Sequence, residues 1–210
     1  MLATDFLDAT WRELCLMHSQ DDVAINRYWQ DLSGQYRDGK RYYHNLEHIA
    51  SVVKQLLSCK QIIDNWDAVL FAAFYHDVIY DTGRNDNEEQ SAFFAVDRLR
   101  NIGVDEVVIH NCKEYIVATS NHDKSADSDC NIFVDADLSI LGTPWNEYLQ
   151  YSENIKKEYA HVPDALYRPG RSAVLMKFLE REQIFNSKFF FEKYERQAKE
   201  NIRKELELLK

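Results

Sequence analysis

The sequence predicts an all-α protein, a single-domain helical bundle that spans residues 1–210. Apolar side chains recur at helical spacing along almost the whole chain. The 210 residues include only six glycines and three prolines, which is too few for the many tight turns of an all-β fold. A chain of this length can bury one substantial core. We therefore expect about eight to ten helices with a typical length of about 11–12 residues.

Apolar stripes on one helical face locate the helices in chain order. They lie at residues 25–36, 46–57, 66–74, 93–99, 104–116, 174–179 and 194–209. Asp86 or Asn87 is a candidate N-cap for the fourth stripe, and Gly103 follows its end. Thr143 and Pro144 are typical of an N-cap followed by the first helical residue. Loops are expected over residues 81–85, 121–129 and 161–170, and a short strand over residues 131–134 is an open alternative.

Composition and charge limit the partners of the protein. A formal net charge of −10 argues against a broad nucleic-acid or anionic membrane surface. The longest apolar run, residues 68–75, is far shorter than the ~20 residues of a membrane span, and the N-terminus lacks a signal-peptide pattern. Cys15, Cys59, Cys112 and Cys130 form no C-x-x-C pair and are expected as free thiols. We expect a cytoplasmic protein, and a homo-oligomer is compatible with these features.

Three separated segments carry histidine and aspartate beside apolar residues. His76 and Asp77 close an apolar run, where burying them would be costly without a metal or charge partner. Asp135 and Asp137 lie in a second apolar stretch, where one carboxylate could cap a helix or turn and the other needs a partner. Histidine and carboxylate hold a divalent metal and leave it Lewis-acidic. One metal site formed by His48, the His76-Asp77 doublet and one of the two aspartates would give each of these buried groups a partner.

His44 lies four residues before His48. On a helix the two would share one face and could both bind a metal. The alternative is one surface histidine and one core histidine with a satisfied ring.

The order of these groups resembles the HD superfamily of metal-dependent phosphohydrolases. The segments Tyr43-His44-Asn45-x-x-His48, His76-Asp77-Val78 and Ala136-Asp137-Leu138-Ser139 are similar to the metal-site segments of cyclic-nucleotide phosphodiesterases. The wider stretch from Arg41 to Arg171 is similar to a small bacterial group of predicted HD-superfamily phosphohydrolases. The resemblance covers most of the chain. It implies a helical domain of the HD type, with metal-site segments at about residues 41–142 and the helices of residues 144–210 packed on them.

The resemblance implies a role for each of these residues. His48, His76, Asp77 and Asp137 would be ligands of the first metal ion. His44 would protonate the leaving alkoxide, and Asp77 would also bridge to a second metal or orient the attacking water. The expected reaction is metal-assisted hydrolysis of a small phosphate monoester or diester, such as a nucleotide. Mn²⁺, Mg²⁺, Fe²⁺, Co²⁺, Ni²⁺ and Zn²⁺ are all candidate ions, because His/Asp ligation does not decide among them.

Two positions of the site differ from the phosphodiesterase pattern or extend it. Tyr80 stands where phosphodiesterases carry another histidine, which leaves a second metal shell in doubt. His122 is a candidate additional ligand, as several HD enzymes with extra metals use a histidine between the doublet and the final aspartate. Arg171, Lys157 and Arg168 are the candidate cations for the substrate phosphate, with Arg171 the first choice because it begins an apolar helix after a glycine.

Other functions also fit parts of the sequence. The chain could be a non-catalytic metal- or nucleotide-binding sensor module on the HD scaffold. His44, Glu47 and His48 also fit the H-x-x-E-H pattern of zinc proteases, but that function would leave the His-Asp doublet without a role. A calcium loop at residues 127–138 is excluded, because Ile132 and Leu138 replace its required glycine and glutamate.

Overall fold

The computed structural model describes residues 2–210, and every regular element in that range is helical. The ten α-helices are α1 (Ala3–Leu16), α2 (Asp22–Gln35), α3 (Leu46–Ser58), α4 (Trp66–Tyr75), α5 (Asn87–Ile102), α6 (Glu106–Ala118), α7 (Ser128–Leu138), α8 (Trp145–Glu158), α9 (Asp164–Glu180) and α10 (Lys188–Leu208). Two short 3-10 turns cover Lys60–Ile62 and Ser139–Gly142. The predicted all-α bundle and its number of helices are confirmed for this part of the chain.

Helix α4 lies at the centre of the bundle. Its residues from Ala68 to Tyr75 are all buried, as expected of a helix that is apolar all round. It packs against α3, α5, α6 and α7, while α1 packs against α2 and α3. Trp11 of α1 meets Phe71 and Phe74 of α4 edge-on, with ring centroids 6.0 and 5.4 Å apart. The C-terminal end of this central helix is therefore held firmly in the core.

Polar caps fix where most of the helices begin. In six helices an Asp, Asn or Ser side chain accepts a hydrogen bond from first-turn N–H groups, which would otherwise lack partners. These caps are Asp21, Asn45, Asn65, Asp105, Asp127 and Ser187. At the other end of α5, Gly103 ends the helix with a φ of 90°, a left-handed conformation that glycine adopts without strain.

The structure decides one open alternative and corrects two local expectations. The possible strand at residues 131–134 lies inside α7, since a short buried apolar run fits either element and the Asp127 cap selects the helix. The predicted loop over residues 161–170 contains the start of α9, which tolerates Pro169 and continues because Tyr167 and Leu175 are buried. Helix α8 begins after Pro144, so that proline is the N-cap and not the first helical residue.

The last helix joins the C-terminal part of the chain to the rest. Helix α10 packs against α7, α8, α9 and the 3-10 turn at Ser139–Gly142. The buried side chain of Asn201 donates to the carbonyl groups of Leu141 and Thr143, both at 2.8 Å. All four cysteines are buried and free. Within residues 2–210, no helix combines the length and apolar character that a membrane crossing requires.

Candidate metal centre

Three helix ends bring the predicted ligands together. Asn45 caps α3 and thereby places His48 in the first turn of that helix. His76 and Asp77 follow directly after the last residue of α4, and Asp137 lies in the last turn of α7. Because α4 packs against both α3 and α7, these side chains converge at one point of the core.

The ligand atoms have the spacing of a coordination shell. The Nε2 atoms of His48 and His76 lie 3.1 Å apart. Asp137 Oδ1 is 3.1 Å from the first nitrogen and 3.4 Å from the second, and Asp77 Oδ2 is at 3.5 and 3.2 Å. Ligands about 2.1 Å from one ion lie about 3.0 Å apart at right angles and about 3.4 Å apart in a tetrahedron. The group of His48, His76 and Asp137 could therefore hold a metal ion, with Asp77 beside it.

The hydrogen bonding of His76 suits a metal ligand. Its Nδ1 lies 3.1 Å from the carbonyl oxygen of Ala73 and donates to it in the neutral tautomer that leaves Nε2 unprotonated. That Nε2 then directs a lone pair at the same point as Nε2 of His48. Ligating histidines commonly donate their other ring nitrogen to a carbonyl group in this way.

The site is a strongly coupled cluster of charges. Burial lowers the pKa of His76, but the nearby carboxylates of Asp77 and Asp137 outweigh it and hold that pKa well above its usual value. Burial raises the pKa of Asp137, yet the histidines bring it well below its ordinary range. Two carboxylates and two imidazoles in one buried site supply the negative charge and lone pairs that a divalent cation requires.

Arg41 supports the backbone of the site. Its guanidinium donates to the carbonyl groups of Asp77 at 2.6 Å and Val78 at 3.0 Å, directly after α4. It also lies over the rings of Tyr36 and Tyr80, at 5.2 and 5.6 Å. Arg41 therefore fixes the backbone that carries the His-Asp doublet.

His122 contacts the site from the loop after α6. Its Nε2 lies 2.9 Å from Oδ2 of Asp137, the carboxylate oxygen that is not shared with His48 and His76. The residue has a φ of 54°, an uncommon left-handed conformation for a non-glycine residue. In this arrangement His122 orients Asp137 and does not belong to the group of His48, His76 and Asp137 that could hold the metal ion.

His44 lies before α3 and not on it, so the expected shared helical face with His48 is wrong. Its ring centroid is 5.9 Å from that of His48. Its Nδ1 lies 2.6 Å from Glu158 Oε2, and its backbone N–H donates to Glu158 Oε1 at 3.0 Å. Burial raises the pKa of Glu158, but its bonds to His44 and the backbone lower it overall. The hydroxyl of Tyr80 donates to the same carboxylate at 3.0 Å.

Asp135 has a structural role at the opposite face of α7. Residues two apart on a helix point in nearly opposite directions. Its carboxylate accepts hydrogen bonds from the backbone N–H groups of Asn186 and Ser187, at 2.8 and 2.6 Å, just before α10. The expectation that one aspartate of the pair caps a turn therefore applies to Asp135.

A cavity of about 570 Å³ opens beside Asp137, His44 and His122. Arg171 lines it, in a buried pair with Glu205. Lys157 and Arg168, the other two predicted phosphate contacts, do not line it, and they bond to Asn154 and Asp164 instead.

Sequence reasoning missed two other cations of this cavity, Lys177 and Arg181. Lys177 and Arg181 are four residues apart at the end of α9, and this spacing is a signal that links them to each other but not to Arg171. Glu158 was also missed, because no local pattern links it to His44.

Comparison with known proteins found no relative of this chain: no family model, curated protein or solved structure matches it. The assignment of a function therefore depends on the site itself.

Proposed function

We propose that this protein is a metal-dependent hydrolase of small phosphate monoesters or diesters, of the HD type. The observation that carries this proposal is the convergence of His48, His76 and Asp137 at 3.1–3.4 Å spacing. Asp77 lies 3.5 and 3.2 Å from the two histidine nitrogens, and a nearby histidine, His44, is held by a buried glutamate. A binding site alone would not require that histidine. A catalytic site requires a proton donor near the metal.

In this proposal, one group of residues binds the metal ion and another donates the proton. His48, His76, Asp77 and Asp137 would hold a divalent ion, which supplies Lewis acidity and lowers the pKa of water. As the water oxygen bonds to phosphorus and releases one proton to solvent, the bond from phosphorus to the leaving oxygen breaks. His44 gives its proton to that leaving oxygen, and Glu158 orients the ring through its contact with Nδ1.

The positive charges of the cavity favour a phosphate ester as the substrate. Lys177 lines the same cavity as Asp137, together with Arg171 and Arg181, which are paired with Glu205 and Asp123. Guanidinium and ammonium groups can complement the oxygens of a phosphoryl group. The zinc-protease alternative is disfavoured, since Glu47 is exposed and does not line this cavity, and His44 is bonded to Glu158.

Elemental analysis and a hydrolysis assay test the proposal together. The wild type should hold about one or more transition-metal ions per chain and hydrolyse p-nitrophenyl phosphate or bis-p-nitrophenyl phosphate with Mn²⁺ added. A folded His76→Ala/Asp77→Ala variant should lose both metal and activity. The matched control is His110→Ala, which replaces an exposed histidine that does not line the cavity and should keep both. A metal-free wild type after incubation with Mn²⁺ would reject the proposal and favour a binding module.

A further inference from the structure

A second cavity of about 460 Å³ adjoins the metal cavity on the side of His44. Four tyrosines line it: Tyr80, Tyr151, Tyr159 and Tyr167. We call this cavity the tyrosine slot. His44, Tyr151, Tyr159 and Arg171 line both cavities, so a single ligand can extend from one into the other. The volume is within the range of about 300–1,000 Å³ that is typical of small-molecule sites.

Hydrogen bonds and ring contacts hold the walls of the slot in place. The ring of Tyr80 stacks on His44 with centroids 4.1 Å apart, and its hydroxyl is bonded to Glu158. Tyr151 lies under the guanidinium of Arg171, 5.3 Å from the ring centroid. Aromatic walls that are already fixed bind a planar ring by stacking with little loss of side-chain freedom.

The charge of the slot indicates which part of a substrate it accepts. None of the described residues that line it is an aspartate, glutamate or lysine, and the charge of Arg171 is matched by Glu205. Lys177 and Arg181 line the metal cavity and not the slot, and Arg181 is paired with Asp123 of the same cavity. The slot therefore suits an uncharged aromatic group, and the metal cavity suits the phosphoryl group.

We propose that the tyrosine slot binds the aromatic ring of the leaving group, so that the substrate is a phosphate ester of an alcohol carrying a ring of nucleobase size. This inference rests on the proposed function, in which His44 protonates the leaving oxygen. Since His44 lies at the junction of the two cavities, the leaving oxygen is at that junction and the remainder of the leaving group extends into the slot.

Two substrates with the same scissile bond test this specificity. Adenosine 5′-monophosphate and ribose 5-phosphate both release a primary 5′-hydroxyl, and only the first carries a ring. With Mn²⁺ present, we expect kcat/KM to be about ten- to a hundredfold higher for the nucleotide, the usual effect of stacking one base. Hydrolysis of both compounds at equal kcat/KM would overturn the inference and leave the hydrolase proposal intact.

Blocking variants connect this preference to the slot. Leu166 lines the slot and is 67% exposed, so Leu166→Trp should fold and reduce the ratio of the two kcat/KM values at least about tenfold. Gly170→Leu is a second blocking variant, because a Cβ at Gly170 meets no atom within 4 Å. The control Val107→Trp, at a 64% exposed position of α6 outside both cavities, should keep the ratio. An unchanged ratio in both blocking variants would contradict the inference.

A binding measurement separates the two proposals. Calorimetric titration of the wild type with adenosine and with uridine needs no hydrolysis and no phosphate. We expect binding of at least one nucleoside, weakened at least about tenfold by Leu166→Trp and unchanged by Val107→Trp. If the protein hydrolyses neither these two esters nor the two p-nitrophenyl esters, the proposed function fails and this titration alone decides the slot. Failure of both nucleosides to bind would then overturn the inference.

Discussion

The Nδ1 atom of His44 lies 2.6 Å from Oε2 of Glu158, although 114 residues separate the two in the sequence. The other oxygen of the glutamate accepts from the backbone N–H groups of Tyr43 and His44, at 2.7 and 3.0 Å. The backbone of Tyr43 and His44 therefore holds the Glu158 carboxylate in place, and that carboxylate in turn orients the ring of His44. This arrangement leaves Nε2 of His44 turned away from Glu158, where it can meet a leaving oxygen.

Replacing His44 should abolish proton donation and preserve the metal. We expect His44→Ala to reduce kcat by about 10²–10⁴-fold, the usual contribution of a general acid. The metal content should stay near that of the wild type, because His44 is not one of the four ligand groups. Steady-state kinetics and elemental analysis of the same preparation check both parts.

The matched variants of this pair separate orientation from proton donation. Glu158→Gln keeps an acceptor oxygen for the ring, so its loss of kcat should be smaller than that of His44→Ala. Tyr80→Phe removes one hydrogen bond to Glu158 and keeps the ring that stacks on His44, so its effect should be smaller still. A kcat of His44→Ala equal to that of the wild type would exclude His44 as the acid.

The stabilising effect of metal should increase with pH. The pKa of His76 in the folded protein is raised above its ordinary value of 6.5. The charged form of His76 therefore stabilises the metal-free protein fully below pH 6.5, and this stabilisation is lost as the pH rises through the raised pKa. A metal ion requires neutral histidine, and protons therefore compete with it. We expect added Mn²⁺ to raise the melting temperature more at about pH 8 than at about pH 6.

Two controls confine this pH effect to the site. His76→Ala should remove the response to Mn²⁺ at both pH values, and the chelated wild type should show how the metal-free protein alone depends on pH. A metal response that is larger at the lower pH would contradict the neutral-histidine ligand set.

The sequence predicted those parts of the site that depend on local pattern. His76 and Asp77 end an apolar helix, and the buried end of that helix follows from its composition. The four predicted ligands lie together, although their role as metal ligands stays a prediction. The local pattern did not decide between Asp135 and Asp137, and only the family resemblance selected Asp137. The helix directs the two side chains to different neighbours.

Contacts between distant segments could not be predicted in this way. Glu158 meets His44 only because α8 ends beside the segment before α3, and no spacing in the sequence encodes that approach. Lys177 and Arg181 lie six and ten residues after Arg171, and neither spacing returns to the same face of a helix, so Arg171 gives no local signal for them.

Arg171 and Glu205 form a buried ion pair whose two members should be strongly coupled. Their side chains are 9% and 4% exposed, and the carboxylate also accepts from Tyr148 and Ser152. We expect Arg171→Met to cost about 3–5 kcal/mol of unfolding free energy, because it leaves a buried charge without its partner. Arg171→Met/Glu205→Gln should recover most of that loss. The free energies of unfolding of both variants and of Glu205→Gln, measured with a denaturant, form a double-mutant cycle that gives the coupling energy of the pair.

The double variant also tests whether Arg171 contacts the substrate. With stability recovered, we expect kcat/KM for a phosphate ester to stay at least about tenfold below the wild type, since a charged hydrogen bond to the phosphoryl group is missing. Full recovery of kcat/KM together with stability would mean that Arg171 is only structural.

Gly142 permits the closest approach between the 3-10 turn and α10, and alanine should not fit there. A Cβ at this position would lie 2.5 Å from Cβ of Tyr194 and 2.8 Å from the carbonyl oxygen of that residue. Since the contact is with backbone and Cβ atoms, no side-chain rotation can relieve it. We expect Gly142→Ala to cost about 1–3 kcal/mol, the usual penalty for overpacking, measured by thermal or denaturant unfolding.

Gly34→Ala is the matched control for this substitution. Gly34 is exposed in α2, and a Cβ there would meet no atom within 4 Å. Alanine should therefore stabilise that helix by up to about 1 kcal/mol, because it has the higher helix propensity. Opposite signs for the two substitutions would assign the loss at Gly142 to the contact with Tyr194. A destabilisation of equal size at both positions would show that the contact is not its cause.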